Sequence, residues 1–562
     1  MSADAPASSP PSAAPAPVSP LSVPIFRAVW VASMASNFGG LIQSVGASWM
    51  MTSLGGSAEM IALVQTSTSL PIMLLSMWAG AMADNLDRRK VMLVAQTFML
   101  LVSLALAAAA WLGIMTPWLL LSLTFLIGCG TALNSPAWQA SVGDMVPRAA
   151  LPNAVALNSM GFNIARSVGP ALGGLIVAAG GAAAAFMINA LSYVGLMGVL
   201  ARWAPDVPPR LLPREKLGVA MGAGLRYVAM SPPILRIMVR SALFGLAASA
   251  VPAMMPLVAR DIVQGGAFTY GVLLGFFGLG AVGGALGSGW LRQRLSSESL
   301  VRLASAALAA GAATTGISPY LPITLAALAL AGAGWVVALS TFNVNVQMSS
   351  PRWVVARSLA IYQMAVFGAM AGGSWMFGII AQDHGAVLAL HVAAAILIAG
   401  LAVSILLPLE SVDDMNLDPQ NLWQEPDMAV PVSPRSGPVV ITIDHRVPQA
   451  NIPAFLTAME ERRRIRRRDG ARGWTLMRDL ADPELWVERY DVPTWLDYIR
   501  HNQRRTFADA PNSDDLRSLR AEESEPVVRR LLERQTSALP FFGRTLGARE
   551  LADPMTDPTR SN

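Results

Sequence analysis

Long apolar segments separated by short polar loops occupy most of this chain. A helix needs about 20 apolar residues to cross a bilayer core, and the chain contains twelve segments of about that length. Glycine, proline or charged residues interrupt the pattern between them, and the longest interruption divides the segments into six and six. We predict spans over residues 25–52, 58–83, 91–113, 117–138, 154–179, 182–203, 235–259, 268–290, 299–317, 320–345, 354–381 and 385–408.

The charged residues divide the chain into two different parts. Only 14% of the 562 residues are charged, against roughly 25% in soluble domains. Residues 1–410 contain 19 Lys/Arg and 11 Asp/Glu, whereas residues 411–562 contain 22 and 25. This distribution excludes a soluble enzyme and indicates a membrane part followed by a water-soluble part. The excess of basic residues forms no stripe with interleaved aromatics, so we expect no nucleic-acid partner.

These patterns predict the domain organisation. Residues 1–21 form a disordered leader, 22–204 the first six-helix half, 205–233 a central loop and 234–410 the second six-helix half. Residues 411–437 are a linker, 438–540 a soluble α+β domain and 541–562 a disordered tail.

Loop charge predicts the orientation in the membrane. Lys and Arg concentrate in the loops after spans 2, 4, 6, 8 and 10, and are absent from the loops after spans 1, 3, 5, 9 and 11. Basic loops remain on the cytoplasmic side. We therefore predict a multi-pass protein of the bacterial inner membrane, in contact with the lipid bilayer, with both termini in the cytoplasm.

The two halves also show an internal repeat. A shift of 204 residues places Gly169 on Gly373 and Gly174 on Gly378, and a shift of 207 places Gly80 on Gly287. Parallel repeats of this kind are found in transporters. The alternative is that the glycines coincide by chance, because the helices are rich in glycine.

A charged motif follows span 2. Gly80 is followed by Asp84 and then by Arg88 and Arg89. Small residues allow helix ends to approach closely, and an acid beside a basic cluster can form a contact that exists in only one conformation. The segment resembles the loop 2–3 signature of the major facilitator superfamily, although Asn85 and Asp87 replace the usual Arg and Gly. The resemblance implies a gate contact at Gly80, Asp84, Arg88 and Arg89.

A second motif lies in span 5, where Gly169, Pro170, Gly173 and Gly174 form a helix that can kink and pack closely. The alternative is that these small residues form only a generic packing face. The run resembles the signature of antiporters in the superfamily, which implies export. In span 4, Thr124 replaces the arginine that the family uses for proton coupling.

The segment from Asn134 to Pro170 resembles the transmembrane secretion effector branch of the superfamily. The resemblance implies an all-α membrane protein with the major facilitator fold, built from two six-helix bundles. It further implies a secondary transporter that exports a small organic solute, a siderophore or an amphipathic drug-like compound, by alternating access and proton antiport. We expect no enzyme activity, no cofactor and no metal. The alternative is a membrane-anchored monooxygenase-like enzyme or ligand sensor whose helices serve mainly as an anchor.

Polar side chains inside the spans mark a candidate path for the substrate or the coupling ion. Arg166 is the most costly to bury, and its alternative role is that of a structural side chain whose charge reaches the membrane surface. The predicted path residues are Asn37, Gln43, Gln65, Asn158, Asn163, Arg166, Asn343, Asn345 and Gln363.

The segment after the linker changes to a β-α-β-β-α pattern. It resembles a ferredoxin-like domain of the dimeric α+β barrel type, which implies a small cytoplasmic α+β domain that could self-associate. His445 and His501 are its candidate catalytic groups. No other residue at a recognisable spacing supports catalysis, so we favour a structural or regulatory role.

Overall fold

The computed structural model describes residues 19–147, 150–204, 217–351, 353–409, 416–417, 420, 423, 425–521 and 526–533. Most of the predicted leader, much of the central loop and of the linker, and all of the tail therefore lie outside the described residues. The side chains of Asp84 and Asn163 also lie outside the description. The domain boundaries remain predictions.

Ten helices among the described residues are long and apolar enough to cross a membrane, the sixth in several segments. In the first half these are α1 (Pro24–Ser53), α2 (Ala58–Asn85), α3 (Arg88–Trp111), α4 (Pro117–Met145) and α5 (Leu151–Arg202). A short helix, α6 (Leu217–Ala229), precedes the second half. That half comprises α7 (Pro232–Ala248), α8 (Ala250–Leu257) with a π-helical turn at Val258–Ile262, α9 (Ala267–Arg292), α10 (Ser297–Ile317), α11 (Leu321–Met348) and α12 (Val355–Leu406).

Two of these helices are too long for a single crossing. Helices α5 and α12 each contain 52 residues, or roughly 78 Å at 1.5 Å per residue. Each reverses at one glycine with positive φ, Gly181 at 72° and Gly385 at 84°, a conformation that side chains disfavour. With both arms of α5 and α12 counted, the ten long helices agree with the twelve predicted spans.

The polar loops end the helices as the sequence suggests. Ser57 accepts a hydrogen bond from the backbone nitrogen of Met60 at 3.2 Å, and Ser296 accepts one from Ser299 at 3.2 Å. Such caps satisfy donors that have no partner within the helix. The capping residues therefore fix where the spans α2 and α10 begin.

A four-stranded sheet and three helices form the C-terminal domain. The strands are β1 (Val439–Arg446), β2 (Arg472–Arg478), β3 (Leu485–Val492) and β4 (Val527–Leu532). They pair antiparallel in the order β2-β3-β1-β4. Helix α13 (Ile452–Asp469) follows β1, and α14 (Trp495–Gln503) and α15 (Ala510–Ser518) follow β3.

The core of this domain supports the predicted small α+β unit. Ile441 of β1 and Tyr490 of β3 are buried on the same face with Trp495 of α14, while Phe455 and Met459 of α13 pack in a neighbouring cluster. The order of strands and helices agrees with the β-α-β-β-α-β connection of ferredoxin-like folds. The dimeric pairing of the barrel type remains a prediction.

Candidate functional site

The two halves meet through two helix pairs that the internal repeat relates to each other. Helix α2 packs against α12, and α5 packs against α9. Within the halves, α1 packs against α5 and α7 packs against α12, which is again a related pair. The structure therefore follows the repeat read from the sequence.

The glycines of the span 5 motif and their repeat partners lie at these contacts. A Cβ on Gly174 would lie 2.8 Å from the Cα of Gly271 in α9, and one on Gly378 would lie 2.7 Å from the Cβ of Ala62 in α2. Gly169 faces Leu41 of α1, while its repeat partner Gly373 faces Leu246 of α7. Gly173 also packs on α1, and Pro170 is buried beside Gly271. Equivalent glycines thus let equivalent helices approach closely.

Further contacts join the halves at the end of the bundle where Gly181 and Gly385 lie, which is called here the glycine-turn end. The backbone nitrogen of Ala58 donates to Oε1 of Gln382 at 2.9 Å. The indole Nε1 of Trp375 donates to Oε1 of Glu59 at 2.9 Å. Trp49 of α1 stacks on Tyr270 of α9 with centroids 6.4 Å apart. The glycine-turn end is therefore closed.

The opposite end, which carries Arg88 and Arg89 and is called the basic-loop end, has a different set of contacts. Nη1 of Arg88 lies 2.7 Å from Oδ2 of Asp144 at the end of α4. Arg89 donates to the carbonyl oxygens of Leu200 and Ala201 at 2.9 and 2.6 Å. All these described contacts join elements of the first half.

The predicted close approach at Gly80 is absent from this conformation. A Cβ on Gly80 would meet no atom of the described residues within 4 Å, and the same holds for its repeat partner Gly287. The side chain of Asp84 lies outside the description, so its role in the gate remains a prediction. The sequence did not identify Asp144 as a partner of Arg88, although both stand at helix ends on the same predicted side.

Arg166 lies between the halves. Its guanidinium stands 5.8 Å from the ring centroid of Trp335 in α11, and Trp335 in turn packs edge-on against Phe277 of α9. Among the described residues, no carboxylate forms an ion pair with Arg166. A cation that faces an aromatic ring instead of an acid leaves its charge available to a ligand.

The other predicted path residues fall into two groups. Gln43 and Asn345 are buried, and Asn345 bonds the Thr341 carbonyl of its own helix at 2.8 Å. Asn37, Gln65, Asn158, Asn343 and Gln363 are half-buried. Gln65 donates to Ser69 at 3.4 Å and Asn343 accepts from Gln347 at 2.6 Å. No described contact joins these half-buried side chains into one site, and Asn163 lies outside the described side chains.

A polar cluster inside the first half contains Gln43. Its Oε1 accepts from Ser103 at 2.9 Å and from Asn189, which also donates to Tyr193 at 3.0 Å. The cluster links α1, α3 and the second arm of α5. This geometry suits a structural hydrogen-bond network between helices, and Asn189 and Tyr193 were not identified from the sequence.

The second half contains a corresponding ionic contact. Both terminal nitrogens of Arg240 bond Glu298 of α10, and Nη1 also donates to the Leu407 carbonyl at 3.2 Å. Arg302 reaches the same carboxylate at 2.9 Å. Arg240 is thus held as a structural link between α7, α10 and the end of α12.

The C-terminal domain rests on the membrane part. Nη1 of Arg464 donates to the Met230 carbonyl at 2.8 Å. The guanidinium of Arg468 lies 5.2 Å from the Tyr227 ring, and that of Arg504 lies 4.0 Å from the Trp353 ring. These contacts fix the domain beside α6 and the segment between α11 and α12.

The two histidines of the domain are buried among charged groups. His445 lies 3.5 Å from Glu488, and His501 accepts from Arg466 at 3.1 Å. Burial lowers the pKa of His445, and Glu488 opposes this effect only in part. Burial, followed by repulsion from Arg466, places the pKa of His501 well below its ordinary value. Both rings are therefore neutral at pH 7, which agrees with a structural role.

Known proteins match both the sequence and the fold. The enterobactin exporter EntS of Escherichia coli O1:K1 is 28% identical over 319 residues, covering 57% of this chain and 75% of the exporter. The staphyloferrin A transporter of Staphylococcus aureus is 29% identical over 157 residues, and the match spans 28% of this chain and only 39% of that protein.

Solved structures support the fold alone, because their identities are low. A bacterial homologue of the human lysosomal transporter Spinster has a TM-score of 0.55 at 14% identity, covering 68% of this chain and 96% of its own. The nucleoside transporter NupG has a TM-score of 0.55 at 14% identity, covering 68% and 99%. Both carry the major facilitator fold that the motifs implied, and neither supports the alternative of an anchored enzyme.

The family model of the transmembrane secretion effectors matches residues 15–537, which is nearly the whole chain. The ten long apolar helices, the repeat-related contacts between the halves and the transporter relatives agree with that match. The protein is therefore an integral membrane transporter and not an enzyme. It belongs to the transmembrane secretion effector family of the major facilitator superfamily.

Proposed function

We propose that this chain exports a small organic solute that carries a negative charge, a siderophore or an amphipathic compound, from the cytoplasm across the bacterial inner membrane. The observation that carries the proposal is Arg166, a guanidinium between α5 and α11 without a carboxylate partner among the described residues. Burying an unpaired charge within a membrane costs about 2.5–3.5 kcal/mol or more. An anionic substrate would offset that cost. The names of the siderophore-transporting relatives support the substrate class.

The packing supports alternating access between the halves. The glycine-turn end is closed by Gly174, Gly378 and Glu59, whereas none of the described residues packs closely on Gly80 or Gly287 at the basic-loop end. The positive-inside rule assigns the basic loops, and with them both termini, to the cytoplasm. The conformation is then the one that accepts substrate from the cytoplasm.

The proton gradient is the proposed energy source, and the antiporter-like run from Gly169 to Gly174 supports it. The relay cannot use the family's span 4 position, because the buried Thr124 stands there. Glu59 is a carboxylate that directly bridges the two halves. Loss of its charge would weaken the contact with Trp375 and so favour separation of the halves.

Siderophore release from cells tests the substrate and the site together. A strain that synthesises a siderophore and depends on this protein for export should release at least about tenfold less with Arg166→Ala, as expected for a lost charge-assisted contact. Arg166→Lys should retain part of the export. Arg260→Gln is the matched control, because Arg260 is exposed and its ion pair among the described residues is with Asp261. Normal export by Arg166→Ala would refute the assignment.

An uncoupler and a truncation test the remaining parts of the proposal. Collapse of the proton gradient should abolish export, and continued export would refute antiport. Removal of residues 411–562 should leave export intact if those residues only regulate it or mediate self-association. Loss of all export from a correctly inserted truncated protein would instead favour the tail as the active part.

A further inference from the structure

A narrow cleft in the C-terminal domain is lined by an unusual number of arginines. Arg462 and Arg466 project into it from α13, and Arg505 borders it just after α14. His501 and Ser513 complete much of the wall. The cleft lies outside the transport path and outside every motif that the family resemblance uses.

One of these arginines has a full ionic partner. Nε of Arg466 lies 3.1 Å from Oε1 of Glu488, which is fully buried and also accepts from Trp474 at 3.1 Å. Burial alone would raise the pKa of Glu488, but Arg466 together with His445 and Arg462 holds it well below its usual range. Glu488 is therefore ionised and committed mainly to Arg466.

The two other carboxylates at the cleft are committed to a different arginine. Asp469 bonds Nε and Nη2 of Arg468 at 2.9 and 3.2 Å. Asp509 bonds Nη2 of Arg468 at 2.9 Å and also accepts from Thr506. Neither carboxylate forms an ion pair with Arg462 or Arg505 within the described part of the chain.

Arg462 and Arg505 are thus left with weak compensation. Nη1 of Arg462 donates to the Ser513 hydroxyl at 3.1 Å. Its Nε is buried, 3.9 Å from Glu488, and has no hydrogen-bond partner among the described residues. Arg505 donates to the neutral Asn502 at 2.7 Å. Among the described residues, the carboxylates beside these arginines are Glu488, Asp469 and Asp509, so positive charge is in excess at the cleft.

The electrostatics show the cost of this arrangement. Burial, followed by repulsion from Arg466 and Arg505, lowers the pKa of Arg462 to about 9. Burial and Arg466 also lower the pKa of Arg505. Arginines almost never lose their proton in proteins, so the domain carries two half-buried, weakly paired cations that an added negative charge would stabilise.

We propose that this cleft is a binding site for the carboxylate or phosphate group of a small dissolved anion. The free space equals about one water molecule, which admits one anionic oxygen, while the rest of the ligand lies at the mouth. Nε of Arg462 and the guanidinium of Arg505 donate to that oxygen. Charge-assisted bonds of this kind are among the strongest in proteins.

The site is adjacent to the contacts that hold the domain on the membrane part. Asp469 follows Arg468, which lies over Tyr227, and Arg505 follows Arg504, which lies over Trp353. Arg504 also donates to the Asp469 carbonyl at 3.0 Å. An anion in the cleft would therefore alter the electrostatic interactions of Arg468 and Arg504 at the surface where the domain meets the transporter.

Equilibrium dialysis of the full-length protein in detergent tests the proposal, with radiolabelled inorganic phosphate as the probe and chloride holding the ionic strength constant. We expect saturable binding of one phosphate per chain. Arg462→Gln and Arg505→Gln should each weaken it by about tenfold or more, as for a lost charge-assisted bond. Arg505→Lys, which keeps the charge, should retain more of the phosphate affinity than Arg505→Gln.

Arg529→Gln is the matched control, because this exposed arginine pairs with Asp444 on β1, away from the cleft. Phosphate should also raise the unfolding temperature of the unmodified chain, since ligands stabilise the state that they bind. Binding weaker than about 10 mM, or an equal loss of affinity in Arg529→Gln and Arg505→Gln, would overturn the proposal.

Discussion

A methyl group added at Gly174 should open the closed end of the transporter. The Cβ of Gly174→Ala would lie 2.8 Å from both the Cα of Gly271 and the carbonyl oxygen of Ala267. Ordinary contacts begin near 3.4 Å, so α5 and α9 would have to separate by about 0.6 Å. Both atoms belong to the backbone of α9, and no side-chain rotation can relieve the overlap.

The expected size of the effect follows from this overlap. Overpacking a tight contact costs roughly 1–3 kcal/mol, and only the conformation closed at the glycine-turn end contains the contact. Alanine improves helix propensity, but α5 is helical in either conformation, so that gain cancels. The equilibrium should therefore shift about 5- to 150-fold towards the conformation open at this end.

Spin labels on opposite halves can measure the shift. The single native cysteine is first removed as Cys129→Ser, and labels are introduced as Leu54→Cys and Gln264→Cys, in the loops before α2 and before α9. Gly174→Ala should add a population in which the distance between the two labels is longer. Gly195→Ala is the control, because a Cβ there would meet no atom of the described residues within 4 Å. An unchanged distance distribution in Gly174→Ala would refute the reasoning.

Three further changes test other parts of the structure. Glu59→Gln keeps an acceptor for Trp375 but loses its charge, so the same label pair should report a shift of roughly threefold towards opening; no shift would exclude Glu59 from the closure. Arg240→Met removes the bidentate partner of Glu298 and leaves it with Arg302 and the Leu409 N–H; this should destabilise the protein by about 3 kcal/mol, seen as a lower unfolding temperature that Arg260→Met does not reproduce. Because the pKa of His501 is lowered in the folded state, the unfolded state takes up protons first, and domain stability should fall as pH drops below about 6.5. In thermal melts between pH 7.5 and 5.5, the unfolding temperature of His501→Gln should fall less with pH than that of the unmodified chain. An equal fall would contradict this assignment.

The sequence predicted the fold well because the relevant signals are local. Span length and the breaks between spans can each be read within a short window, and the breaks near 180 and 384 coincide with the reversals of α5 and α12. The repeat added long-range information, since it matched Gly174 to Gly378, and the structure places both at equivalent contacts between the halves.

The candidate site was less predictable because its contacts join distant segments. Gln43 was predicted on the path as a polar residue within a span, yet Ser103 and Asn189 surround it inside the first half. Only tertiary packing decides which face of a helix meets the substrate. Arg166 was identified for the opposite reason, since an arginine far from a helix end is costly wherever its side chain points.

The two ends of the bundle differ in what holds them, and this difference has a mechanical consequence. At the glycine-turn end the halves meet through backbone contacts at Gly174 and Gly378, which are short-ranged and are lost within an ångström of separation. At the basic-loop end, the ion pair of Arg88 and Asp144 lies within the first half, so it does not hold the two halves together. Closure at the glycine-turn end must therefore be steep, because its contacts act only at short range. A substrate charge that binds Arg166 between the halves needs only a modest binding energy to decide whether those short-range contacts form.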